Sequence, residues 1–177
     1  MVKNSQADKT SKTAEEEKMI MKPSSRLYVD SQAFDHNQSI PVKHTCDGED
    51  VSPPLSWKEE VGGIRSYAVV VDDPDAPGRT FTHWVLFNLP PDSRSLPENI
   101  PKQATLDNGA VHGKNDFGKM GYGGPCPPSG KPHRYRFHVY ALDKMLDLQP
   151  GTSKDSLLKA MEGHILADSE ITGMYGR

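Results

Sequence analysis

The stretch DDPDAPGRTFTHW, residues 72–84, sets three carboxylates, two prolines and a histidine between two apolar runs. A second polar group, HRY at 133–135, follows the Gly- and Pro-rich segment GYGGPCPPSGKP. Histidine donates hydrogen bonds and becomes cationic near neutral pH, and a tyrosine hydroxyl adds a neutral donor. The amides of Gly123, Gly124 and Cys126 could turn toward an anion in a nest. Asp73 or Asp75 would orient a histidine, or raise its pKa, rather than touch an anion that repels it. His83, His133 and Tyr135 therefore suit a phosphate or carboxylate head group. The prolines pre-set the loops and reduce the entropy lost when a ligand binds.

These residues need a scaffold that gathers them. IRSYAVVVDD, FTHWVLFNLP and HRYRFHVYALD read as three strong strands, rich in β-branched and aromatic residues and bounded by breakers. RLYVDSQAF and SIPVKHTC are weaker extended segments, and CDGEDVSPPLSW is too rich in Gly and Pro for a helix. Alternation places Tyr67, Val69, Val71 and Asp73 on one face, His83 with Val85, Phe87 and Leu89, and His133 and Tyr135 with Phe137 and Val139. Trp84 falls on the opposite face of its strand, as core. If the three strands are neighbours, Asp73, His83, His133 and Tyr135 converge on one mouth of the core. Residues 90–132 form a long irregular passage that either carries function or hides short strands. Helical spacing occurs only late, where Leu157, Leu158, Met161, Ile165 and Leu166 make one stripe after an N-cap at Thr152 or Ser153. The expectation is a mostly antiparallel β domain over 25–177 with one late helix. The polar segment 1–24 is expected to be a disordered tail, at most a frayed helix around TAEEEKMIM, and Met19 or Met21 is a candidate start.

The bulk properties exclude several functions. A chain of 177 residues favours one domain with a proper core. A net charge of -3 and a pI near 6.1 argue against a general nucleic-acid binder. No run approaches the roughly 20 apolar residues of a membrane span, and no secretory signal core is present, so the expected location is cytoplasmic. Cys46 and Cys126 lack the CxxC spacing of zinc sites and are expected as two buried thiols, or as one disulfide if their loops meet. His36, His44, His112, His138 and His164 share no spacing and are expected to be surface or structural. No GxSxG elbow is present, and neither cysteine has a base beside it in sequence, so no catalytic residue, metal or cofactor is assigned.

In their order and spacing, DPDAP, THWVLFNLP and DFGKMGYGGPCPPSGKPHRY resemble the phosphatidylethanolamine-binding or Raf kinase inhibitor-like family, most closely its shorter bacterial and archaeal branch. The resemblance runs from Tyr28 to Tyr175. It implies two packed antiparallel sheets with a C-terminal helix and a shallow pocket for phosphate-like anions. Matched residue by residue, Asp73, Asp75, His83, His133 and Tyr135 are pocket residues, and Gly124, Cys126 and Pro127 lie in the anion loop. The loop is tighter and the C-terminus shorter than in animal members. The expected function is a non-enzymatic anion-binding regulatory module whose partner is a small phosphorylated or anionic ligand. One alternative is inhibition of a protein kinase or serine protease through the 90–132 loops; another is a metal-dependent phosphoester hydrolase built on the Asp and His residues. The resemblance also permits a homodimer.

Overall fold

The computed structural model describes residues 26–177, and the expected tail with its candidate helix lies outside them. Two antiparallel sheets carry the fold. The smaller has the order β1-β2-β5, from β1 (Leu27–Asp30), β2 (Leu55–Glu59) and β5 (Ser95–Leu96). The larger has the order β6-β4-β3-β7-β8, from β3 (Ser66–Asp73), β4 (Phe81–Leu89), β6 (Val111–His112), β7 (His133–Leu142) and β8 (Ile165–Tyr175). The three strong strands are thus neighbours, with β3 in the middle.

Each apolar row has a cover. Tyr67, Val69 and Val71 pack with Phe137 and Val139 against Leu27, Leu55, Trp57 and Leu96 of the small sheet. On the other side, Ala68, Val70, Val85 and Phe87 meet Leu146, Leu157 and Met161. Burial on both faces explains why β3 reads as the continuous run YAVVV rather than as an alternation. β7 has only its inner face fully covered, and its odd-numbered residues from His133 to Ala141 are the buried ones.

The one α-helix among the described residues, α1 (Lys154–Met161), starts where the sequence puts it. Ser153 caps it by accepting from the Ser156 amide at 3.1 Å, and Asp155 sits in the first turn. Leu157 and Met161, four residues apart, are its buried anchors, each contributing about 1.5–3 kcal/mol by burial. The helix ends earlier than the stripe predicts. Gly163 turns the chain at φ +77°, and Ile165 then pairs with Leu142, so Ile165 and Leu166 belong to β8. Pairing ten residues of β7 outweighs one further helical turn.

The long passage 90–132 hides the two-residue strands β5 and β6. The cysteines differ from the favoured expectation. Cys46 and Cys126 are both exposed and joined, with S–S 2.07 Å and Cα–Cα 5.4 Å across 80 residues of sequence. Their loops meet because the Cys46 amide donates to the Pro125 carbonyl at 3.1 Å. A cross-link closing so long a loop restricts the unfolded chain, so Cys46→Ser combined with Cys126→Ser should lower the unfolding free energy by about 2–5 kcal/mol. Urea melts of the two proteins measure the difference, and equal midpoints would count against a closed bond.

Candidate anion-binding site

The site stands where β3 ends, β7 begins and β4 is irregular. Val71 pairs with Trp84 and Asp72 with Thr82, leaving His83 as an extra residue in β4. Such a bulge re-aims a side chain without breaking the sheet. It places His83 on the inter-sheet side next to Trp84, which packs in the same core as Val71. The expected grouping of His83 with Val85 and Phe87 is therefore incorrect, because those two face the helix. A second bulge, at Asn88 with φ +58°, brings Leu89 opposite Tyr67 and back to the inter-sheet core. Its side-chain amide replaces lost ladder bonds by pairing with the backbone of Leu146 at 2.8 and 2.9 Å.

His83 is fixed by the Gly-rich loop. Its Nδ1 donates to the Gly123 carbonyl at 2.7 Å, and its own carbonyl accepts from the Gly123 amide at 3.0 Å. Burial holds the imidazole below its ordinary pKa; the Gly123 carbonyl and the Asp73 charge oppose this only in part. His133 is fixed differently. Its Nδ1 donates to Asp73 Oδ2 at 2.7 Å, and the Asp73 side chain is only 4% exposed. The other Asp73 oxygen accepts from the Asp75 amide at 2.8 Å, which turns the chain after β3. Between the histidines stands Tyr135, its ring 5.2 Å from His83 and 6.4 Å from His133. Burial, reinforced by Asp73, pushes its phenol well up. The Asp73 carboxylate lies close enough to disfavour the ionised phenol, but no described residue meets Tyr135 Oη in hydrogen-bonding geometry, and the atom is buried.

Asp73, His83, His133, Tyr135, Cys126 and Pro127 line one pocket of about 160 Å³. Asp75 and Gly124 do not. Asp75 grips Arg134 at the rim, accepting from Nη2 at 2.8 Å, Nε at 3.0 Å and the amide at 2.9 Å. The Gly123 and Gly124 amides, expected to face an anion, are used internally, the second donating to Asp50 Oδ1 at 2.8 Å. Gly124 is required by close packing instead, since a Cβ there would lie 2.4 Å from the His44 carbonyl. The pocket also has walls that the sequence did not point to, notably Phe81, Phe117 and Pro77. Phe117 sits 4.8 Å from Phe81 and 5.4 Å from His83, held by a turn in which Asn115 Oδ1 accepts from the amides of Phe117 and Lys119. The available signal is the turn former Asn115 two residues before an aromatic.

The remaining histidines are committed elsewhere. His44 and His112 bond backbone carbonyls through Nδ1, and His112 Nε2 accepts from the Trp84 indole at 3.0 Å. His138 lies between Asp72 and Glu170, His164 pairs with Asp143, and His36 accepts from the Thr172 amide. Among the described residues, no group of three or more His, Cys, Asp or Glu is arranged to hold a metal ion. No described helix is long and apolar enough to cross a membrane.

A family model for phosphatidylethanolamine-binding protein matches residues 30–176. The chain belongs to that family. A UPF0098 protein of Methanothermobacter thermautotrophicus is 54% identical over 147 residues, covering 83% of this chain and 97% of the relative. A homolog from Chlamydia trachomatis of known structure has a TM-score of 0.78 at 38% identity, covering 85% of this chain and 97% of its own. Escherichia coli YbcL, a member of the mammalian PEBP family by its description, has a TM-score of 0.80 at 34% identity and covers 86% of this chain and 99% of its own. The resemblance read from the DPDAP, THWVLFNLP and GYGGPCPPSGKPHRY motifs is thus correct, as is the mostly β fold of two antiparallel sheets and a helix.

The rim pair carries a pH signature. The Arg134 hydrogen bonds hold Asp75 at about 2, against an ordinary 3.8. A lowered folded-state value stabilises the fold above the unfolded value, and this is lost as pH falls through about 2. Because the pair stands at the surface, its contribution is about 1 kcal/mol or less. Asp75→Asn should therefore cost that much at neutral pH and progressively less toward the acid limit, as read from denaturant melts across pH.

Proposed function

We infer that the protein is a non-enzymatic binding and regulatory module whose pocket holds a small anionic head group, a phosphate or a carboxylate. The observation that carries this reading is Tyr135 Oη, a buried hydroxyl without a hydrogen-bond partner among the described residues, on a residue that lines the pocket. Leaving a buried donor unsatisfied costs about 1–3 kcal/mol, a cost that an oxygen-rich ligand would remove. The two histidines support it, because each commits Nδ1 to an acceptor and leaves Nε2 without a bond to any described residue. The volume of about 160 Å³ suits a head group, not a drug-sized molecule. Phe81, Phe117 and Pro77 would meet the apolar or cationic remainder of the ligand.

A heteronuclear NMR titration with phosphate, then with phosphoethanolamine, tests the reading. Saturable shifts at the His83 and His133 rings are expected. No response at millimolar ligand would mean that the cluster is structural. Tyr135→Phe removes the unsatisfied hydroxyl, so it should leave the free protein as stable or about 1 kcal/mol more stable while weakening phosphate binding about tenfold. A destabilised variant with unchanged affinity would contradict the role given to Oη.

Proton linkage gives a further check. The free pocket holds His83 below its ordinary value, and a bound anion favours the charged ring. Binding should take up a proton, so sulfate affinity should be highest in acid and fall as pH rises through the histidine range. A flat profile would exclude histidine charge as the driving force.

The alternative of a protein-inhibiting loop has less support, because the 90–132 segment is fixed to its surroundings by backbone bonds such as Trp57 to Arg94 and Gly113 to Val85. The expected cytoplasmic location fits this reading only where a cytoplasm sustains disulfides. The Cys46–Cys126 bond weighs toward an oxidising compartment or the cytoplasm of a hyperthermophile, where disulfides persist.

A further inference from the structure

His83 and His133 are anchored by different acceptors, and the difference is chemical. Both donate from Nδ1 at 2.7 Å, His83 to the neutral Gly123 carbonyl and His133 to the Asp73 carboxylate. When Nε2 of an imidazole forms a bond to an electrophile, positive charge spreads over both ring nitrogens. A carboxylate already on Nδ1 offsets that charge in place, where a carbonyl offers only a dipole. The carboxylate also holds the hydrogen on Nδ1, which leaves the Nε2 lone pair for attack. His133 thus has the geometry of a nucleophile. His83, a donor once protonated, and the unpartnered Tyr135 hydroxyl stand beside it.

We propose that His133 Nε2 accepts a phosphoryl group from a small activated phosphate donor, such as an acyl phosphate or a phosphoramidate, bound in the pocket. The proposal rests on the anion-binding reading of the same site. The Nε2 lone pair forms the N–P bond as the bond from phosphorus to the leaving group breaks: an acyl phosphate releases its carboxylate, and a phosphoramidate already protonated on nitrogen releases a neutral amine, each departing with the electron pair. The proton on Nδ1 stays on the ring and continues to donate to Asp73. Tyr135 Oη and the protonated His83 ring donate to the phosphoryl oxygens. The donor must be activated because the two proton donors of the pocket, protonated His83 and Tyr135, are committed to the phosphoryl oxygens, which leaves none for a poor leaving group. The product is a phosphohistidine formed once per chain, so the step is a modification of the protein and not a turnover reaction.

His164 is an internal control. Its Nδ1 also meets a carboxylate, Asp143 Oδ1 at 2.8 Å, but the pair is exposed at the surface and lines no anion pocket. The folded protein, incubated with acetyl phosphate, is assayed for acid-labile, alkali-stable phosphate by peptide mass spectrometry and phosphorus NMR. The expected result is one phosphoryl group on His133, as the Nε2 isomer, faster than any label on His164 and slowed by added sulfate. Asp73→Asn, confirmed as folded by its melt, should slow labelling of His133 by at least about tenfold and leave His164 unchanged. No label, an Nδ1 isomer, or equal labelling of His133 and His164 would overturn the proposal. A phosphate titration on the same sample separates the two readings. Saturable binding without phosphohistidine removes the transfer step alone, whereas absence of both removes the anion pocket as well.

Discussion

Asp73 ends the central strand with a carboxylate almost wholly out of water, and a charge so placed has to be matched from within the protein. One oxygen accepts from His133 and so joins the end of β3 to the start of β7. The other accepts from the Asp75 amide and so shapes the turn into β4. That turn delivers Phe81 opposite Asp73 and, two residues later, the bulge that carries His83. Satisfying a single buried charge therefore sets the mouth of the core, the entry of two strands and the orientation of one histidine. The neighbouring Asp72 plays the parallel part on the helix side. Burial opposes its charge, but His138 and Arg136 outweigh burial and hold it well below the ordinary carboxylate range.

Much of this was legible in the sequence, and the exceptions have physical causes. The strand bodies were visible because β-branched and aromatic runs bounded by Pro and Gly have few other uses. Their adjacency stood only as a condition, because no local pattern says which strands of a sheet pair; the structure puts β3 between β4 and β7. The face of His83 was misjudged because alternation assumes a regular ladder, and nothing in FTHWVLFNL marks the extra residues at His83 and Asn88. The helix stripe ran too far because Ile165 and Leu166 suit a strand as readily as a helix, and β7 supplied the pairing that decided between them. The cysteines were misread because 80 residues of sequence separate them, and only folding shows that their loops touch.

The site residues divide along similar lines. The convergence of Asp73, His83, His133 and Tyr135 on one pocket was legible because ionisable groups at the ends of apolar rows are rare and costly to stability. Phe117 was missed because an exposed aromatic in a loop carries no periodicity. The glycines were misread, since neither lines the pocket. Gly123 and Gly124 looked like donors to an anion, whereas their amides go to His83 and Asp50 and their lack of a side chain lets the loop lie against His44 and Phe117.

That use of the loop changes what binding can involve. Gly123 is bonded to His83 in both directions, Gly124 to Asp50, Pro125 to Cys46, and Tyr122 donates to the His44 carbonyl at 2.7 Å. With the disulfide added, the loop is tethered on both sides of the pocket before any ligand arrives. A site tied in this way has little closing motion with which to select a ligand. Discrimination falls to the few groups that remain uncommitted: the Nε2 atoms of His83 and His133 and the hydroxyl of Tyr135. Two of these donate only when protonated and one is always a donor. Under the proposed anion-binding reading, the pocket would select ligands by how many oxygen acceptors they present and by the proton they bring with them, while Phe81 and Phe117 would limit the width of the substituent attached to the head group.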